Sequence, residues 1–313
     1  MNKDSKIYVA GHNGLVGSAF MRVLRAAGYT DFILKKSSEL DLRNQADVEE
    51  FFAREKPDYV FLAAAKVGGI LANSTYAADF AYDNIMIATN VIHAAYVHGV
   101  KKLLNLGSSC IYPKFAPQPM SEDYLLTGAL EPTNEPYAVA KIAAIKLCSA
   151  YNKQYGTDFI SVMPTNMYGP DDNFDLETSH VLPAMIRKFH MAKVTSADKV
   201  TLWGTGTPMR EFLYADDLAE ACLFLMKEKN VSQIGETINI GYGKDITIKD
   251  LAELIKDIVG FDGTIEWDST KPDGMPRKLM DSSRINALGW KPKVSLKDGI
   301  TRVYREVFCR ECS

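Results

Sequence analysis

The sequence predicts an α/β fold: a doubly wound parallel sheet with helices on both faces, followed by a smaller C-terminal α/β lobe. Three observations lead there. Short apolar runs alternate with stretches of helical periodicity through the first half of the chain. A glycine-rich turn, Gly11-His12-Asn13-Gly14-Leu15-Val16-Gly17, joins the first run to the first helical stretch. Polar, chemistry-bearing residues then recur where the apolar runs end. Such alternation makes parallel strands joined by right-handed crossovers, with ligands at the strands' C-terminal ends.

The elements follow in order. Ile7–Ala10 reads as the first strand. The turn after it has the spacing G-x-x-G-x-x-G, a variant of the dinucleotide fingerprint. Its glycines permit a tight turn, close approach of backbone to a pyrophosphate, and close helix-on-strand packing. The helix N-terminus adds free N–H donors and a partial positive charge. The next helix is read with Leu15, Ala19, Val23 and Ala26 on one face and Arg22 and Arg25 on the other. Phe32–Leu34 is the second strand and runs into Lys35-Lys36-Ser37-Ser38, with no carboxylate immediately after it. An acid there would bind an unmodified ribose 2′-OH, whereas cations suit a 2′-phosphate, so Lys35 and Lys36 favour NADP(H) over NAD.

Helical patterns over 46–55 and 84–98 separate strands at Tyr59–Ala63 and Leu103–Gly107, and a later strand covers Phe159–Met163. Gly11, Ala63 to Lys66, Ser108 and Pro164 all fall at strand ends, which gathers them in one crevice of a Rossmann-type domain. Beyond Pro164 the elements shorten and turns multiply, as at Trp203-Gly204-Thr205-Gly206. Helical patterns return at 216–227 and 248–259, and Lys271 to Lys278 reads as a rigid basic loop. The expected division is a dinucleotide-binding domain over 1–165, with some later segments returning to it, and a mainly substrate-binding lobe over 166–313.

Composition excludes several classes. The 313 residues carry 36 Lys and Arg against 39 Asp and Glu, a net charge of −3, which offers no electrostatic case for nucleic acid or an anionic membrane. No apolar run approaches the ~20 residues needed to span a bilayer. The segment from Met1 to Lys6 has no signal-peptide apolar region, and a cytoplasmic protein is expected. The five cysteines (Cys110, Cys148, Cys222, Cys309, Cys312) are odd in number and irregularly spaced, unlike a disulfide framework. Cys309 and Cys312 have redox or zinc spacing without a second pair, and are read as an exposed tail; no metal site is expected.

The chemistry is carried by four residues. Tyr137-Ala-Val-Ala-Lys141 sets a phenol and an ammonium four residues apart on one helix face. A nearby ammonium is expected to lower a tyrosine pKa from near ~10, readying the phenol for proton exchange near neutrality. Ser108 ends an apolar strand, where its hydroxyl can meet a carbonyl oxygen. Cys110 adds a second titratable group with a reference pKa near ~8.5, usable as a base. A plain ketone reductase has no use for it.

Longer stretches carry a resemblance. They include Ala63 to Ile70, Gly107-Ser108-Ser109-Cys110-Ile111-Tyr112-Pro113, Glu131 to Tyr137, Val162 to Asn166, Ser179-His180-Val181-Leu182-Pro183, Trp203 to Leu213, and Lys271-Pro272-Asp273-Gly274 with Pro276-Arg277-Lys278. Almost end to end, the chain resembles the extended short-chain dehydrogenase/reductase family of nucleotide-sugar enzymes. Within it, the chain is similar to the bifunctional epimerase/reductases of GDP-4-keto-6-deoxymannose.

The resemblance implies two stages in one pocket. Cys110 acts as base and His180 as acid while carbons C3 and C5 invert beside the C4 ketone. Tyr137 then protonates the C4 oxygen as hydride arrives from NADPH, with Ser108 holding that oxygen and Lys141 on the nicotinamide ribose. It also implies cofactor contacts from Gly11, His12, Asn13, Gly14, Leu15, Val16 and Gly17, and from Lys35, Lys36 and Ser37. Ala63, Ala64, Leu106, Gly107, Ser108, Lys141, Pro164, Thr165, Asn166, Met167 and His180 complete that set. Lys188, Trp203, Arg210, Asp273 and Lys278 are implied to hold the GDP-sugar. The blander alternatives are that His180 caps a helix or enters the core, that Trp203 is core, and that Arg210 pairs with Glu211. A homodimer through a four-helix interface, from 76–98 and 137–155, is implied by the same resemblance.

Departures matter too. Family members can carry arginine where Asn13 and Ser37 stand here, and at Lys188. The last change keeps the charge and loses bidentate phosphate geometry. Two other reactions on the same fold fit less well. A 4,6-dehydratase calls for an Asp-Glu pair where Ser109-Cys110-Ile111 stands, and a 4-epimerase has no use for the Cys110/His180 pair. A catalytically dead sensor would have lost its Tyr, Lys and Ser, and all three are present.

Overall fold

The computed structural model describes residues 1–176, 178–271 and 273–309. Its strands, in chain order, are β1 (Ile7–Ala10), β2 (Phe32–Ile33), β3 (Tyr59–Leu62), β4 (Lys102–Leu106), β5 (Phe159–Pro164) and β6 (Asn166–Tyr168). They continue as β7 (Lys199–Trp203), β8 (Met209–Tyr214), β9 (Ile238–Ile240), β10 (Asp245–Thr247), β11 (Thr264–Asp268) and β12 (Arg277–Lys278). The helices are α1 (Leu15–Ala26), α2 (Gln45–Glu55), α3 (Ile70–Thr75), α4 (Ala77–Val97), α5 (Glu135–Tyr155) and α6 (Val181–Val194). After them come α7 (Ala215–Glu228), α8 (Val231–Ile234), α9 (Ile248–Val259), α10 (Ser283–Leu288) and α11 (Leu296–Phe308).

The main sheet has the order β2-β1-β3-β4-β5-β9, all pairs parallel. Its inner strands are covered on both faces, which is why they read as continuous apolar runs rather than alternating ones. Ile7 and Val9 point to one core with Phe20 and Leu24 of α1 and Leu218 and Cys222 of α7. Tyr8 and Ala10 point to the other with Phe51 and Phe52 of α2, Val91 and Ile92 of α4 and Cys148 of α5. Each large side chain so buried contributes on the order of 1.5–3 kcal/mol. Strand order reverses at β1, with β2 on one side and β3 on the other, so a crevice opens at the C-terminal ends of β1 and β3.

The second lobe holds the small sheet β10-β8-β12, with β6 also pairing β8, and the separate β11-β7 ribbon. Ile186 and Phe189 of α6, Leu251 and Ile255 of α9 and Val303 of α11 share its core.

Several expectations change. The buried face of α1 is Ala19, Phe20, Met21 and Leu24, while Ala26 is exposed. Its Arg22 points out, to ion pairs with Asp216 and Asp171. Helix α4 starts at Ala77, seven residues before the expected Asn84, because Asp79 and Asp83 face the Lys66 ammonium and interrupt the apolar pattern. The expected basic loop contains a strand, β12, while Pro272 lies outside the described residues. Cys309 is partly buried against the α11 core rather than free in a tail, and Cys312 lies outside the described residues.

Candidate active site

The crevice begins with the glycine turn. Gly11 has φ +82°, and a Cβ there would lie 2.7 Å from Ala64 N, at the mouth of β3. A Cβ on Gly17 would lie 2.0 Å from Gly11 O, so α1 can meet the turn only with glycine in place. Gly14 is different: it caps α1 with extended backbone and no side-chain cap, and its Cβ would meet only Gly11 O at 3.6 Å. The uncapped helix terminus and the open space beside Gly14 fit a pyrophosphate. Ala63 and Ala64 follow the end of β3, and Leu106 and Gly107 stand at the end of β4. Gly107 lies so close to Met163 that a Cβ would sit 2.2 Å from its methyl carbon.

The corner beyond β2 is more mixed than the sequence implied. Glu39 folds back, accepts a hydrogen bond from Lys36 N at 2.9 Å and stands 4.0 Å from the Lys35 ammonium. His12 also feels Glu39 and Lys36 electrostatically, and burial lowers its pKa. The cations of this corner are therefore partly opposed by a carboxylate that lies four residues along the chain. Ser37 is exposed at its edge, and Asn13 is exposed on the turn.

Thr165 and Asn166, just after β5, spend their side chains on the protein's own main chain. Thr165 is buried, and both residues donate through their side chains to the Glu211 carbonyl, at 3.3 and 2.8 Å. Pro164 closes β5, and Met167 packs partly into the first core.

The chemical groups converge at the end of β4. Ser108 leaves the strand in extended conformation and its Oγ accepts from Cys110 N at 3.4 Å, capping the short 3₁₀ turn Ser109–Ile111. That turn buries Cys110 directly beneath the serine. Ser108 is also a hydrogen-bond partner of the Tyr137 phenol and of the Cys110 thiol. Tyr137 rests edge-on against Phe80, ring centroids 6.4 Å apart. Lys141, four residues further along α5, is buried, stands 5.7 Å from the Tyr137 ring centroid, and donates to Leu106 O at 2.7 Å.

Electrostatics overturn one expectation. Burial pushes the Tyr137 phenol above its usual range, and the Cys110 charge pushes it the same way, so it stays a protonated donor. Burial also lowers Lys141 to about 8, which Cys110 partly offsets. Cys110 itself is raised by burial, while the Lys278 and Lys141 ammonium groups pull it down. The thiol is thus protonated at rest and has two cations ready to support a thiolate.

His180 stands at the N-cap of α6 without a side-chain cap bond, and is exposed. It neither caps the helix nor enters the core. The protein around it and then the Lys278 ammonium both lower its pKa. The charge of one cation therefore acts on both Cys110 and His180.

The surface around Trp203 is open. Trp203 is 62% exposed and so is not core; the Lys188 ammonium lies 6.0 Å and the Lys271 ammonium 5.4 Å from its ring centroid. Arg210 donates to Met209 O at 2.8 Å and faces Asp273; it does not pair with Glu211. Asp273 accepts from Thr205 N at 2.9 Å and Thr205 Oγ1 at 2.7 Å, so its carboxylate shapes the turn after Trp203. Lys271, Phe80 and Glu39 escaped the sequence reading. Lys271 stands in a stretch that reading quoted, but its approach to Trp203 requires the β7–β11 pairing.

A dinucleotide crevice carrying Ser at a strand end, with Tyr and Lys on the helix beside it, defines a carbonyl-handling oxidoreductase of the doubly wound class. The chain belongs to the NAD dependent epimerase/dehydratase family, whose model matches residues 7–241. It is similar to GDP-L-fucose synthase 1 of Arabidopsis thaliana, at 63% identity over 97% of this chain and 93% of that protein. It is also similar to GDP-L-fucose synthase of Escherichia coli (strain K12), at 53% identity over 96% and 95%. Among solved structures it is similar to MlghC, GDP-mannoheptose C4 reductase from Campylobacter jejuni with NADP bound, with TM-score 0.91, 42% identity, and 98% and 99% of the two chains covered.

Proposed function

We propose that this protein is a bifunctional epimerase/reductase that converts GDP-4-keto-6-deoxy-D-mannose to GDP-L-fucose, with NADP(H) as cofactor. The observation that carries the reading is that one cation's charge acts on both a thiol and an imidazole, beside a Ser–Tyr–Lys reduction set. A C4 reductase alone requires only the second group. The relatives at 63% and 53% identity bear the name of this activity.

In the first stage the thiol proton passes to His180, giving a thiolate–imidazolium pair; the Cys110 thiolate then takes a proton from the carbon next to the ketone, and the electron pair moves onto the C4 oxygen, which Ser108 holds. Lys278 stabilises the thiolate form of the base. His180 returns a proton to the opposite face, so that carbon inverts, and the same exchange at the other neighbour of C4 completes the epimerisation. NADPH, when bound, supplies the hydride that reduces C4. Tyr137 gives its proton to the C4 oxygen, and the buried Lys141 ammonium limits the cost of the charge left on the phenolate. Gly11 to Gly17 would receive the pyrophosphate, and Lys188, Trp203, Arg210, Asp273 and Lys278 the GDP-sugar.

Exposed Tyr82 and Val97 on α4 and Val139 and Tyr155 on α5 support a homodimer through these helices. The division at 165/166 and a cytoplasmic location belong to the same proposal; three buried free cysteines accord with a reducing compartment.

The test is to combine the purified protein with GDP-4-keto-6-deoxy-D-mannose and NADPH and identify the sugar formed. GDP-L-fucose is expected, and Cys110→Ser is expected to yield reduced but unepimerised sugar. Turnover to an unepimerised 6-deoxy sugar by the unsubstituted protein would overturn the epimerase half.

A further inference from the structure

Lys278, whose charge acts on the Cys110 thiol, sits on a strand of two residues, too short to hold it firmly alone. β12 pairs with β8 only through Arg277↔Met209 and Lys278↔Arg210. Past that register the ladder stops and other acceptors replace it. Gln118 Oε1 accepts from Leu279 N at 2.8 Å, Leu279 O accepts from Met120 N at 2.8 Å, and Glu211 Oε2 accepts from Met280 N at 3.0 Å.

Glu211 is completely buried. Its other oxygen, Oε1, accepts from Gly243 N at 2.6 Å, so main-chain N–H groups solvate both ends of the carboxylate. Room for it is made by Gly241, where a Cβ would lie 2.5 Å from Glu211 Oε1. Its own carbonyl receives the side chains of Thr165 and Asn166 at the end of β5. Successive side chains of β8 point to opposite sides, so Arg210 faces Asp273 while Glu211 enters the interior. Burying a carboxylate is costly unless hydrogen bonds compensate it, and an apolar residue would suit a purely structural strand better.

We propose that Glu211 is a positioning residue for the epimerisation stage: its carboxylate fixes the main chain at Met280 so that Lys278 is held toward Cys110, and its carbonyl ties that segment to the end of β5. An amide in its place offers one acceptor oxygen and an NH2 that cannot accept, so main-chain N–H donors on one side lose their partner while side-chain size is kept. The proposal rests on the epimerase reading above.

The experiment measures solvent deuterium entering C3 and C5 of GDP-4-keto-6-deoxy-D-mannose without NADPH, in the unsubstituted protein, Glu211→Gln, Lys278→Met and the double variant. NADPH affinity is titrated in parallel. Glu211→Gln should slow exchange about 10- to 100-fold and change NADPH affinity less than about twofold. On top of Lys278→Met it should add less than about twofold, because its effect passes through that lysine. Equal losses in both backgrounds, unchanged exchange, or NADPH binding lost in parallel would each overturn the assignment. Glu211→Asp, which keeps the charge but withdraws it by one methylene, supplies the same comparison if the amide variant folds poorly. No exchange in the unsubstituted protein overturns the epimerase reading itself, whereas normal exchange that Glu211→Gln leaves intact overturns only the role of Glu211.

Discussion

The Lys141 ammonium donates to the Leu106 carbonyl at 2.7 Å, joining the helix that carries Tyr137 to the strand that delivers Ser108. This bond gives the lysine a structural task, but its burial dominates its titration and lowers it from 10.5 to about 8. Between those values the unfolded chain binds more protons than the folded one, so this group's contribution to stability rises with pH. Lys141→Met abolishes the titration. The stability difference between the native protein and that variant should therefore move in favour of the native one as pH rises from 8 to 10.5. The change should be on the order of 3 kcal/mol. Urea unfolding across that range checks it, and a difference independent of pH would contradict it.

Two glycines of the same turn should behave oppositely. Gly17 lies against Gly11 O, where a Cβ would sit at 2.0 Å, so Gly17→Ala must push α1 off β1. It should cost about 1–3 kcal/mol by overpacking and weaken NADPH binding as the turn distorts. Gly14 has negative φ and open space, so Gly14→Ala should change stability by less than about 0.5 kcal/mol while its methyl obstructs the pyrophosphate. Thermal unfolding beside NADPH titration separates the two. Equal destabilisation by both substitutions would mean the turn is read wrongly.

Local chemistry explains why much of this site was legible in sequence. Ser108 and Cys110 are two residues apart and Tyr137 and Lys141 four apart on one helix, so each pair needs only one element to be right. Ile7–Ala10 and Ile248–Val259 matched their expected bounds because their apolar patterns are uninterrupted. What escaped depends on non-local pairing. The charge of Lys278 acts on Cys110 from β12, placed by pairing with β8, and a two-residue strand leaves no periodicity to read. Glu39 reaches Lys35 and Lys36 through a turn rather than through strand pattern. Ile238–Ile240 joins the first sheet although it follows much of the second lobe, because its three buried residues fit beside β5. The tyrosine pKa was misjudged because burial, which sequence spacing does not report, outweighs the ammonium.

Glu39 should temper the preference for a phosphorylated cofactor. It is exposed, its carboxyl is held below the usual range first by the hydrogen bond from Lys36 N, and it stands opposite the lysines suited to a 2′-phosphate. Glu39→Gln removes one negative charge from that corner and retains the side-chain shape. NADPH should bind about two- to fivefold more tightly, NADH should be nearly unaffected, and the gain should shrink with added salt. Fluorescence titration with both dinucleotides measures it. A matching gain for NADH would place the effect elsewhere in the cleft.

Trp203 should contribute to binding and very little to folding. Its ring is largely exposed, and the Lys188 and Lys271 ammonium groups stand 6.0 and 5.4 Å from its centroid, an arrangement that pairs an apolar face with cations for a nucleoside diphosphate. Trp203→Ala removes a surface side chain, so unfolding free energy should change by less than about 0.5 kcal/mol. The loss should fall on KM, by about tenfold or more, with kcat nearly kept, since the indole lies outside the Ser108–Cys110–Tyr137 group and serves ground and transition states alike. Lys271→Ala should raise KM in the same manner, and the double variant should cost less than the product of the two single effects, because both residues meet one part of the ligand. Steady-state kinetics over a range of GDP-sugar concentrations resolves this. A fall in kcat with unchanged KM would move Trp203 from the nucleotide side to the chemistry.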